Sequence, residues 1–362
     1  MRIVFDCRYT RIGRHDGISR YTAGLVEALG RRHPLTMLIS DHRQLEMLPD
    51  LPWQLASGPT SIREPLVAHQ VNALHPDVVF SPMQTMGSWG RNYRLVLTVH
   101  DLIYYQHRTP PRDLPWPIRL LWRLYHLSWW PQRMLLNRAD AIVTVSETTK
   151  ELIARHHLTR RPVSVVPNAA DALPGPAPVA RTAPARRSLV YMGSFMPYKN
   201  VETLAAAVSA LPGYELHLMS RVTDAERARL EATADGATLV FHDGASDEEY
   251  ARVLGEATAL VSASRDEGFG IPLVEAMRLG TPVIVSDIPI FREIGGAAAL
   301  FADPDDPGSF AAAVRSLEQP GEWAERSARS LREAERFTWE ASAEHLLTVL
   351  TATAARTRRR LR

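Results

Sequence analysis

Apolar and polar positions along the chain follow two periods in turn. Short apolar runs at Ile3-Val4-Phe5, 35–39, 78–80, 95–99 and 141–145 have the length and continuity of strands buried on both faces. After the first of them, Ile18, Tyr21, Leu25, Val26 and Leu29 recur at helical spacing and stop at Gly30. One more strand is expected at 163–166. The stretch 171–187, with Pro174, Gly175, Pro176, Pro178 and Pro184, breaks the pattern and reads as a linker. The alternation then restarts, with strands at 188–192, 216–219, 238–241, 259–261 and 282–285. A helix carrying Val201, Leu204, Ala205 and Val208 follows the first of these. Strand alternating with helix implies parallel sheets covered by helices on both faces. The expected fold is α/β, two Rossmann-like domains facing across a cleft. Their expected bounds are 1–170 and 188–336, with a closing helix and basic tail over 337–362.

Composition narrows the class. At 362 residues, 45% hydrophobic and 23% charged, the chain suits a soluble globular protein of two ordinary domains. A net charge of +2 gives no field suited to nucleic acid. The single cysteine, Cys7, can build neither a disulfide framework nor a thiolate metal site, and reads as a small buried hydrophobe. Met1 to Asp6 runs straight into a strand pattern without a leader-like apolar core. No apolar run reaches the ~18–20 residues of a membrane span. A cytoplasmic protein is therefore expected.

Residues 112–138 stand apart. They hold Trp116, Trp122, Trp129 and Trp130, and Arg112, Arg119, Arg123, Arg133 and Arg138 against one acid, Asp113. Drawn as one helix, Arg119, Arg123, His126 and Arg133 form a narrow polar stripe. That pattern fits a basic helix lying in a membrane interface, and equally a domain helix whose apolar sides are buried in the protein's own core. The basic run 356–362 adds a second segment suited to an anionic lipid surface. Contact through 112–138 and 356–362 would place the protein at the inner face of a membrane.

The chemistry concentrates in 264–280. A glycine-bearing loop turns there into a helix, with Pro272 suited to the first helical position and Gly280 before Thr281-Pro282 as its stop. Backbone N–H groups around 268–274 become orphan donors at the positive end of a helix, a place for phosphate. Glu267 before the helix and Glu275 inside it offer acceptors for sugar hydroxyls, so the ligand read from these residues is a nucleotide-sugar. In the first half, Gly17 at a helix start either lets a ligand approach the backbone or merely turns the chain. His100-Asp101 follows the strand 95–99 directly, where open α/β sheets bind their ligands. His33, His69 and His75 have no such placement.

Together these segments resemble the retaining glycosyltransferases of family 4, of GT-B fold, and among them bacterial mannosyltransferases. The strongest part is Glu267-Gly268-Phe269-Gly270-Ile271-Pro272-Leu273-Val274-Glu275-Ala276-Met277 followed by Gly280-Thr281-Pro282-Val283. It matches the family's Glu, seven residues, Glu motif with its surroundings. Supporting matches are Asp16-Gly17-Ile18-Ser19-Arg20-Tyr21, His100-Asp101-Leu102, Val145-Ser146, Val166-Pro167-Asn168 and Pro197-Tyr198-Lys199-Asn200. The resemblance implies that Glu267 meets hydroxyls of the donor sugar and that Glu275 accepts from the ribose. It implies that backbone groups of Gly268, Phe269, Gly270, Ile271 and Leu273 hold the diphosphate. Lys199 then neutralises the leaving diphosphate, Gly17 lies near the phosphate, His100 meets the transferred sugar and Asp101 faces the acceptor. No cofactor and no divalent metal are expected, since a lysine and a helix N-terminus stabilise the charge that develops. The implied reaction is hexose transfer with retention onto a glycan or lipid-linked acceptor. GDP-mannose is the leading donor, with UDP-sugars as the alternative.

Two departures from the family pattern matter. Tyr198 stands where an arginine often precedes the lysine, and Ser220-Arg221 stands where a glycine often follows the strand 216–219. Arg221 either supplies the missing cation or is a surface residue. Competing readings are a non-catalytic GT-B nucleotide-binding protein, and an epimerase or phosphorylase of that fold.

Overall fold

The computed structural model describes residues 1–13, 15–110, 116–171, 173–175 and 181–356. Two units emerge, Met1–Ala169 joined by the segment from Thr338 onward, and Ala170–Phe337.

In the first unit the apolar runs become parallel strands β1 (Ile3–Asp6), β2 (Leu35–Ile39), β3 (Trp53–Leu55), β4 (Val78–Ser81), β5 (Arg94–Val99), β6 (Ala141–Thr144) and β7 (Val163–Val165). Their order is β3-β2-β1-β4-β5-β6-β7. The helices are α1 (Gly17–Gly30), α2 (Val67–Asn72), α3 (Ile103–Gln106), α4 (Trp116–Tyr125), α5 (Trp130–Leu136) and α6 (Glu147–Arg155). Strands β1, β4 and β6 are buried throughout, which is why their sequences carry no alternation. β3 is an exposed edge strand, and for lack of a buried face it left no apolar run to read.

The second unit holds β8 (Ser188–Tyr191), β9 (Glu215–Leu218), β10 (Thr238–Phe241), β11 (Ala259–Ser262), β12 (Val283–Ser286) and β13 (Leu300–Ala302). All are parallel, in the order β10-β9-β8-β11-β12-β13. Its helices are α7 (Val201–Ser209), α8 (Asp224–Ala234), α9 (Asp247–Glu256), α10 (Ile271–Arg278), α11 (Pro289–Gly295), α12 (Pro307–Ser316) and α13 (Glu322–Ala334). Both sheets therefore have a point where the strand order reverses, between β1 and β4 and between β8 and β11. Loops leaving the carboxyl ends of adjacent strands part there and open a crevice.

The last helix, α14 (Trp339–Ala355), returns to the first unit. Its Trp339 ring meets Tyr21 edge-on at 6.1 Å, and the Ser342 hydroxyl donates to the Pro167 carbonyl at 2.8 Å. Gly24 of α1 lies so close to the Trp339 indole that a Cβ would overlap it.

The Trp-rich segment corrects the single-helix drawing. The chain breaks between α4 and α5, where the Ser128 hydroxyl accepts from the Trp130 N–H at 3.2 Å and Pro131 opens the new helix. Arg119 and Arg133 therefore do not share one helical stripe, and His126 is no solvent-facing member of it. Its ring sits among Tyr104, Tyr105, Trp122 and Tyr125. Trp129 is sandwiched between Tyr105 at 3.9 Å and His156 at 4.3 Å. Trp116 and Trp130, by contrast, are 76% and 64% exposed. Residues 112–115 of this segment and 357–362 of the basic tail lie outside the described residues, as do 172 and 176–180 of the linker. No helix among the described residues is long and apolar enough to cross a membrane.

Candidate active site

In the second unit the site residues sit at the reversal point between β8 and β11. The chain leaves β8 through Gly193, passes Tyr191's hydroxyl donating to the Ser194 carbonyl at 2.6 Å, and makes a short turn at Pro197–Lys199. Asn200 ends that turn in the left-handed region, φ 52°, a conformation asparagine tolerates. Its side chain donates to the Pro304 carbonyl at 2.6 Å. These constraints fix the stem of Lys199. From β11 the chain enters the loop before α10, tied to the first loop by the Arg265 N–H donating to the Tyr198 carbonyl at 2.8 Å.

Lys199 and Glu267 meet as an ion pair, with side chains only 13% and 16% exposed. The pairing gives each charge the partner that partial burial demands. An open cleft lies beside them, lined among others by Tyr191, Lys199, Glu267, Gly270, Pro272 and Leu273. Arg221 is not among its lining residues. It is exposed and lies against Gly244, where a Cβ would come within 2.9 Å of its Cγ.

The helix start differs in detail from the sequence expectation. α10 begins at Ile271 with Gly270 before it, so Pro272 is the second helical residue rather than the first. Gly270 has φ +93°, which a side chain rarely adopts. The N–H groups of Phe269, Gly270 and Ile271 have no hydrogen-bond partner among the described residues. The Leu273 N–H, expected to face phosphate, already donates to the Gly270 carbonyl at 3.0 Å. The first turn of the helix thus closes on this donor. Phe269 packs its ring edge-on against Phe337 at 5.5 Å, which anchors the loop.

Glu275 lies inside α10 and is 3% exposed. Its Oε2 accepts a hydrogen bond from the Tyr250 hydroxyl of α9 at 3.0 Å. Sequence reading did not find Tyr250. It sits 25 residues before Glu275, and its own helix buries it beside Ala251, Val253 and Leu254, so it reads there as an ordinary core aromatic.

In the first unit Gly17 is the first residue of α1, capped by the Asp16 carboxylate accepting from the Ser19 N–H at 2.9 Å. It does not turn the chain; the left-handed residue of that loop is Gly13, φ 78°. The N–H groups of Gly17 and Ile18 have no hydrogen-bond partner among the described residues. His100 follows β5, and its Nε2 lies 2.7 Å from the carbonyl of Pro82, which follows β4. Since a carbonyl only accepts, Nε2 carries the proton. Burial pushes the imidazole's pKa below its ordinary value, against a smaller upward pull from the Pro82 bond. The ring is thus neutral, with Nδ1 an acceptor. Asp101 Oδ1 accepts from the Ile103 N–H at 3.1 Å at the start of α3.

Two family models match in succession. That described as "Glycosyltransferase Family 4" covers residues 15–172, and "Glycosyl transferases group 1" covers 180–336. Over 228 residues the chain is 29% identical to the O-antigen chain mannosyltransferase RfbU of Salmonella typhimurium, 62% of this chain and 60% of that one. It thus spans less than two thirds of that relative's length. Over 179 residues it is 32% identical to a GDP-mannose-dependent alpha-(1-6)-phosphatidylinositol dimannoside mannosyltransferase of Mycobacterium tuberculosis, 48% of this chain and 46% of that one. A sucrose-phosphate synthase from Thermosynechococcus elongatus shares the fold, with TM-score 0.72 at 21% identity, covering 97% of this chain and 98% of that one. Two Rossmann-like halves, each matched by its own transferase model, place the chain: it belongs to the family 4 glycosyltransferases of GT-B fold.

Proposed function

We propose that this glycosyltransferase moves mannose from GDP-mannose onto a glycan or lipid-linked acceptor with retention of anomeric configuration. The observation that carries the reading is the Lys199–Glu267 pair beside the unpartnered N–H groups of Phe269, Gly270 and Ile271. A cation and a helix end serve the leaving diphosphate, and a carboxylate serves the sugar. The donor rests on the mannosyltransferases the chain resembles. The bond from the anomeric carbon to the β-phosphate oxygen breaks, the acceptor oxygen takes that carbon on the same face, and its proton passes to a phosphate oxygen. Glu275 receives the ribose hydroxyls. Gly17 serves the donor phosphate, His100 the transferred sugar and Asp101 the acceptor. No step requires a divalent metal, so transfer should survive a chelator.

Thermal-shift measurements with GDP-mannose, UDP-, ADP- and dTDP-sugars test the donor. A ligand at 100 times its dissociation constant stabilises by ~2.7 kcal/mol, and a shift with UDP-sugars but none with GDP-mannose would replace the donor. No released nucleotide with any of them would remove the transferase reading.

The acceptor side favours an anionic bilayer. Trp116, Leu120, Leu121, Leu124 and Leu127, on α4 and the turn after it, and Trp130, which opens α5, are exposed, interspersed with Arg119 and Arg123. An amphipathic surface of this kind binds by apolar insertion plus charge attraction. Vesicles containing phosphatidylglycerol should pellet the protein and phosphatidylcholine vesicles should not; equal pelleting, or none, would reject the lipid.

A further inference from the structure

The Tyr250–Glu275 contact goes one step deeper into the site. Glu275 is a carboxylate in a nearly closed environment, and Tyr250 is 1% exposed. A buried carboxylate is costly unless its oxygens are satisfied. A phenol from a different helix, at 3.0 Å from Oε2, satisfies that oxygen and restrains the rotation of the carboxylate plane. A freely turning carboxylate would have to be ordered at binding; one held by Tyr250 is ordered before the ligand arrives. Neither end of this contact is free to drift. Tyr250 belongs to α9, whose N-terminus is capped by Ser246, and Glu275 belongs to α10, whose Leu273, Val274, Ala276 and Met277 are core residues.

We infer that Tyr250 is a positioning residue for donor recognition, acting through Glu275 to orient the acceptor of the ribose hydroxyls. The inference rests on the proposed placement of the nucleoside at Glu275. Tyr250→Phe removes one hydroxyl and keeps the ring. It should weaken binding of the nucleoside diphosphate about tenfold, as a bond to a charged group is lost. The same variant should bind the 2′,3′-dideoxy nucleoside diphosphate as the unaltered chain does, because that ligand offers Glu275 nothing to orient toward.

Isothermal titration of both ligands with the unaltered chain, Tyr250→Phe and Glu275→Gln separates the outcomes. If Glu275→Gln leaves the affinity for the full ligand unchanged, the ribose placement itself is wrong. If Glu275→Gln weakens it while Tyr250→Phe does not, the placement stands and the role of Tyr250 is overturned. Equal weakening of both ligands by Tyr250→Phe would mark a structural effect and also overturn it. Should Tyr250→Phe not fold, the Glu275→Gln chain with and without Tyr250→Phe buries no orphaned charge. In that pair the hydroxyl should not matter, and a tenfold difference would refute action through the carboxylate.

Discussion

His100 shows how one hydrogen bond decides what a side chain offers. With Nε2–H committed to Pro82, the ring can only accept through Nδ1, and burial opposes the imidazolium. The folded pKa lies below the ordinary value of about 6.5. As pH falls through about 6.5, the unfolded chain takes a proton that the folded chain refuses, so stability declines until the folded pKa is reached. Scanning calorimetry of His100→Asn should therefore show a shallower fall in Tm below pH 6.5 than the unaltered chain, with no difference above it. Lys199 carries a different expectation. Lys199→Ala should lower the single-turnover transfer rate ~100-fold or more, the usual cost of one charge-stabilising group. Glu267→Ala should lower transfer more than nucleotide affinity measured by calorimetry. Both residue types were legible in the sequence because the motif fixes their surroundings. Their pairing was not, since the partners are 68 positions apart and spacing at that range carries no geometric information. Tyr250 was illegible for the same reason.

At the scale of elements, buried strands were the most legible because continuous apolar runs have few alternatives. The edge strand β3 and the break between α4 and α5 were not. The first buries nothing that would pattern it, and the second depends on a serine and a proline that also fit inside a helical wheel. The start of α10 was read to within one residue, and what fixes it is Gly270. A Cβ there would lie 3.1 Å from the Phe291 ring in a backbone conformation side chains avoid. Gly270→Ala should destabilise the fold by about 1–3 kcal/mol, seen as a lower denaturant midpoint at unchanged m-value. It should also weaken nucleotide binding, as the three unpartnered N–H groups shift with it.

For the whole molecule, two α/β halves were legible from the restart of the alternation, while the destination of the last helix was not. Its periodicity shows that it is a helix but not which surface it covers. The determinant is a void on α1 at Gly24, shaped for the Trp339 indole. Gly24→Val fills that void, and overpacking of this kind costs roughly 1–3 kcal/mol. The expected result is a lower Tm and rapid proteolytic release of the segment beyond Thr338, with nucleotide affinity of the second unit retained.

That returning helix also sets an order of events on the ribosome. The first unit is encoded in two pieces, and the roughly 170 residues of the second unit lie between them. At the usual 5–20 residues per second, on the order of 10–30 s pass before α14 is made. Throughout that interval the face of α1 around Gly24 and Tyr21 waits uncovered. The second unit, by contrast, is continuous and has every strand it needs once Phe337 has emerged. The half of the protein that is synthesised first is therefore the last to reach its final packing.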